Sequence, residues 1–67
     1  MRKPNVTMYQ VMVTDKTVGH EIPIGPRMDV RDALLPLVEA TNVSILKGAI
    51  TGWKDAHIVV VNDGLII

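Results

Sequence analysis

The side chains that could do chemistry are few and widely spaced. Histidine occurs at His20 and His57, serine only at Ser44, and cysteine is absent. A thiol nucleophile is therefore excluded. Ser44 falls inside a helical pattern, with no histidine beside it and no glycine to build an oxyanion site; its ordinary role there is a local bond to the helix backbone. His20 and His57, with Glu21 or Asp55, could form a metal site only if the fold gathers them, since neither spacing is that of a metal motif. The ordinary alternatives are a half-buried strand histidine at 20 and a strand-end histidine near water at 57. Arg27 and Arg31 flank the start of a predicted helix, where free amides attract anions. Asp29 and Asp32 already bring negative charge to that turn. Lys47, Trp53 and Lys54 form a basic–aromatic pattern able to stack a base, but a single tryptophan in so small a chain serves more often as a core plug. No phosphate loop, nucleophile elbow or metalloprotease helix motif is present. The reading is a non-enzyme with no cofactor, no metal and no catalytic residue.

These residues need a scaffold, and 67 residues provide one domain, 1–67, with residues 1–5 as an N-terminal tail. Hydrophobic residues make up 48% and the charges balance, 7 basic against 7 acidic. That composition excludes a disordered chain, and balanced charge argues against wholesale nucleic-acid binding. No apolar run is long enough to span a membrane, and Met1-Arg2-Lys3 is not followed by a signal-type segment. The expected location is the cytoplasm, with no membrane partner.

Period-2 alternation over Thr7–Thr14 predicts a first strand, with Tyr9, Val11 and Val13 on one face and Met8, Gln10, Met12 and Thr14 on the other. A tight reversal at Asp15-Lys16 leads to a second strand over Thr17–Ile24. Val18, His20, Ile22 and Ile24 share one of its faces. Pro23 marks it as an edge strand, and Gly25-Pro26 ends it. Asp29 is the expected N-cap of a helix over about Val30–Lys47, with its main stripe on Val30, Leu34, Leu37, Val38, Thr41 and Ile45. Pro36 predicts a kink or break, and Gly48 the C-terminal stop. Residues 49–55 read as a connector on which Trp53 folds back. Ala56–Val61 is a third strand, apolar on both faces. Asn62-Asp63-Gly64 is a turn, and Leu65-Ile66-Ile67 follows as a short fourth strand or an apolar tail.

The expected fold class is α+β: an antiparallel three-stranded sheet in order 2-1-3, with a short fourth strand left open, and one helix packed on one face. Such a sheet leaves its most apolar strand at an edge. Leu35, Val43 and Leu46 lie off the helix's main stripe. Together with Trp53, Lys54, Val59, Val61, Leu65, Ile66 and Ile67 they form the candidate interaction surface. So short a chain, with no disulfide to brace it, is expected to gain stability by association. The functional expectation is a protein–protein interaction factor that pairs with itself, as a homodimer or larger, and binds a further, unidentified protein. The alternative is a nucleic-acid-binding module using Trp53, Lys54, Lys47, Arg2 and Lys3.

One wider pattern accompanies these readings. Ile24-Gly25-Pro26-Arg27-Met28, a long helix from near Ala33, Lys47-Gly48, Gly52-Trp53 and Ala56-His57-Ile58-Val59 resemble small proteins of unassigned function encoded by phages and prophages. The resemblance covers residues 7–61, and Pro36 within the helix departs from it. It implies a β-hairpin, a Gly-Pro turn, a helix, a Trp loop and a closing strand, a viral origin, and hence a phage accessory protein in the host cytoplasm. It implies no activity and no site. Ala40–Ser44 also resembles the turn of helix-turn-helix proteins, but the apolar positions of a recognition helix then fall on Gly48 and Thr51, which rejects that reading.

Overall fold

The structure, a computed structural model, describes residues 7–61. Strand β1, Met8–Asp15, is the centre of a three-stranded antiparallel sheet. Strand β2, Glu21–Met28, pairs on one side and β3, Trp53–Val61, on the other, giving the order β2-β1-β3. Between β2 and β3 the chain forms a 3-10 turn, Arg31–Leu34, and then helix α1, Leu35–Leu46. The helix lies on one face of the sheet, chiefly over β3. The expected α+β architecture and strand order are those observed. The expected turn at 62–64 and the strand or tail at 65–67 lie outside the described residues.

The alternation of β1 sets the layers. Val11 and Val13 point to the helix side and are fully buried. Opposite them in register sit Ile24 and Ile22 on β2, and Ile58 and Ala56 on β3. Leu34 completes the buried centre, with Tyr9, Met28, Leu37, Val38 and Trp53 packed around it. The other face of β1, through Met8, Met12 and Thr14, has no helix over it among the described residues.

The strand reversal is longer than the sequence suggests. It runs over Lys16–Gly19, not Asp15-Lys16, because Asp15 organises a wider loop. Its carboxylate accepts from the Thr17 and Val18 amides at 3.2 and 3.3 Å, and its carbonyl accepts from Gly19 at 2.9 Å. Gly19 takes φ of 81°, open to glycine at little cost. This loop absorbs Thr17 and Val18 and leaves His20 exposed before β2 rather than half-buried within it.

Strand β2 also continues through Gly25-Pro26, where the sequence reading ended it. Tyr9 faces Met28 while Val11 faces Ile24, so β2 carries extra residues as a bulge. Gly25 adopts φ of 76° there, and an added Cβ would stand 2.9 Å from Leu37 Cδ2. The Gln10 amide fills the bulge: Nε2 donates to the Gly25 carbonyl at 3.0 Å, and Oε1 accepts from Arg27 Nε at 3.5 Å. The proline ends nothing because a bulge tolerates a missing N–H.

Three helix expectations need correction. Asp29 makes no cap: Val30 precedes the 3-10 turn in an extended conformation, with no side-chain cap bond. The α-helix starts at Leu35, five residues later than expected. Pro36 therefore stands in its first turn, where the missing N–H has no helical partner to lose, and it starts the helix instead of kinking it. The C-terminal expectation holds. Gly48 has φ of 84°, its N–H donates to Ile45 O at 3.1 Å, and the Ala49 N–H donates to Ser44 O at 2.9 Å. That pair of bonds is a Schellman motif.

A candidate interaction edge on the third strand

Strand β3 begins at Trp53, three residues before the expected start, because a bulge extends its pairing. Val13 faces Ala56, yet Asp15 faces Trp53: two residues of β1 span three of β3. Simple alternation from Ala56 would turn Lys54 inward and Trp53 outward. The extra residue reverses this, so Trp53 packs against the core from the helix side and Lys54 is exposed. Trp53 is thus the core anchor expected of it, half-buried and in a strand rather than on a connector.

The free edge of β3 is defined by Asn42. Its Oδ1 accepts from the Ala56 N–H at 2.8 Å, and its Nδ2 donates to the Ala56 carbonyl at 3.0 Å. Both backbone groups of Ala56 therefore point away from β1, and a helix side chain stands where a fourth strand would pair. In an antiparallel ladder the outward-facing residues recur every second position. Ile58 and Val60 thus present their N–H and C=O groups on the same edge, with no partner among the described residues. The opposite edge of the sheet is guarded differently. By the same phase Pro23 faces outward on β2, where its missing N–H blunts pairing.

Asn42 also shows which side of α1 overlooks the edge. Leu35 lies seven residues before it and Leu46 four after, so the three share one flank. Leu46 is 87% exposed and Leu35 37%. Val60, on the helix side of β3, is 62% exposed. Of the residues singled out in the sequence, Leu35 and Leu46 stand at opposite ends of the α1 flank that overlooks β3, about 16 Å apart along the helix, and Val59 and Val61 lie on that strand's opposite face. Val43, 48% exposed, stands on the outer side of the helix, one turn before Leu46. Trp53 belongs to the core. Leu65, Ile66 and Ile67 lie outside the described residues. Ile58 and Val60 belong to the apolar edge strand that the sequence predicts, whereas Asn42 carries no such signal. A polar residue in a helix gives no sequence signal of a contact fourteen positions away.

The titratable side chains form a separate group on the uncovered face. His57 Nε2 lies 2.7 Å from Glu21 Oε2, across β1, and His57 Nδ1 lies 3.7 Å from Asp55 Oδ2. His20 does not join them. No set of three or more His, Asp or Glu able to hold a cation occurs among the described residues. No helix is long and apolar enough to cross a membrane among these residues. Arg27 belongs to β2, beside Gln10, rather than to a helix start. Comparison with protein-family models, curated proteins and solved structures gave no match.

Proposed function

We propose that the chain is a small non-enzymatic interaction protein that associates with itself along the free edge of β3, and that it serves as a phage accessory factor in the host cytoplasm, binding a host or viral protein. The observation that carries the self-association is the edge itself. Asn42 closes it at Ala56, and Ile58 and Val60 have no partner on it among the described residues, below an α1 flank that carries the exposed side chains of Leu35 and Leu46. Unpaired edges next to apolar surface favour strand addition. Nucleic-acid binding through Trp53, Lys47 and Lys54 has less support, because the indole packs against the core.

Light scattering at micromolar concentration tests the reading. The expected mass is twice that of the 7.4 kDa chain, and Leu46→Glu is expected to return it to a single chain with an unchanged circular dichroism spectrum. A mass of one chain for the natural sequence overturns self-association. Salt-sensitive binding of single- or double-stranded oligonucleotides would favour the nucleic-acid reading instead.

A further inference from the structure

We infer that Asn42 guards the β3 edge: its side-chain amide takes the place of a partner strand at Ala56, so that the docking of α1 closes this part of the edge to strand addition. The inference rests on the β3 seam proposed above and concerns its regulation.

The contact has the form of a strand residue replaced by a side chain. In a hydrogen-bonded antiparallel pair two residues exchange both backbone bonds, each N–H donating to the other's carbonyl. Asn42 supplies both halves of that exchange to Ala56, with Oδ1 accepting at 2.8 Å and Nδ2 donating at 3.0 Å. A strand arriving at Ala56 would trade two bonds for two. It would also leave the part-buried amide of Asn42 without partners, a cost of its own. At Ile58 and Val60 the same strand would form backbone bonds that no described residue makes. Addition is therefore disfavoured at Ala56 and not beyond it.

Two further observations point the same way. Asparagine is a poor residue for a helix interior, yet Asn42 stands well inside α1 and sends its bonds to a residue fourteen positions away. The opposite edge is guarded at the neighbouring level of the sheet, since Pro23 of β2 faces Met12 and Ala56 of β3 faces Val13. Pro23 lacks a donor by its covalent structure. Asn42 occupies a donor and an acceptor by tertiary contact, so only this guard depends on α1 staying in place. The length of open edge on β3 is thereby a property of helix docking.

Amide hydrogen exchange and light scattering on the whole chain test the guard. In the natural protein, exchange at Ala56 relative to that at Val13 in the sheet centre is expected to be the same at all concentrations, because one chain supplies both partners. Protection of Ala56 that rises against Val13 with concentration would show a second strand reaching it past Asn42, and overturns the guard without need of a variant. Asn42→Ala removes the amide without adding apolar bulk. It is expected to tighten association on the order of tenfold, the worth of two added backbone bonds, and to make the relative protection of Ala56 rise with concentration, with circular dichroism confirming the fold. A folded Asn42→Ala protein with no greater mass than the natural chain overturns the guard, whether the natural chain is single or paired. A greater mass with Ala56 exchanging fast at every concentration places the new contact elsewhere and overturns it as well. The mass of the natural chain by itself decides the self-association reading.

Discussion

Two glycines with similar backbone angles separate conformational strain from packing. Gly19 and Gly25 both have positive φ, 81° and 76°. Around Gly19 nothing lies within 4 Å of an added Cβ, whereas at Gly25 the methyl of Leu37 stands at 2.9 Å. Gly19→Ala is expected to cost about 1–2 kcal/mol, the left-handed penalty alone. Gly25→Ala is expected to cost more, because Leu37 must also move from its place beside the core. Denaturant midpoints of the two variants check the order; equal losses would show that Leu37 yields freely. Asn42 is the other residue whose removal has a definite consequence. Asn42→Ala leaves the Ala56 N–H and C=O without the amide, and a loss of roughly 1–3 kcal/mol is expected, as for other abandoned polar groups. A smaller loss, with the edge hydrated, would mean that water replaces the amide. Neither role was legible in the sequence. Gly25-Pro26 carries a turn signal that also fits a bulge, and a helix asparagine carries none.

At the scale of elements, the periodicity of β1 and the apolar run of β3 were legible because each side chain answers to its immediate neighbours. The limits were not, because they depend on contacts distant in sequence. Gln10 keeps β2 paired past the residues that read as its end, and Asp15 widens the hairpin loop. Pro36 shows how a boundary error changes a residue's meaning. Counted from Val30 it is a helix interior proline, counted from Leu35 it is an opening one. Pro36→Ala is therefore expected to change stability by less than about 1 kcal/mol, far below the roughly 3 kcal/mol at stake for proline in a helix interior. A large gain in stability on removing the ring would restore the kink. Trp53 is the converse case. The β3 bulge turns it inward, so Trp53→Ala is expected to cost on the order of 3 kcal/mol, and its fluorescence should report a shielded indole. A water-exposed emission with unchanged melting would place the indole outside the core.

For the whole molecule, the asymmetry between the two sheet edges matters more than either edge alone. Both outer strands of a small sheet risk unwanted pairing. Here β2 carries Pro23 in its outward phase, while β3 has a side-chain plug at Ala56 and then two positions with no partner among the described residues. Among the described residues the fully buried side chains are Val11 and Val13, with Leu34 and Ala56 close behind. So small a core leaves little stability to a lone chain. If the β3 seam supplies the balance, folding and association are one equilibrium and apparent stability must depend on protein concentration. The melting temperature is expected to rise by a few degrees for each tenfold increase in concentration, since a tenfold change corresponds to about 1.4 kcal/mol. Leu46→Glu removes an 87% exposed side chain that a single chain does not need. It should therefore lower the melting temperature of the natural dimer and abolish the concentration dependence together. A melting temperature that is independent of concentration for the natural sequence, and unaffected by Leu46→Glu, would show that the single chain is stable by itself and that the open edge of β3 contributes nothing to its folding.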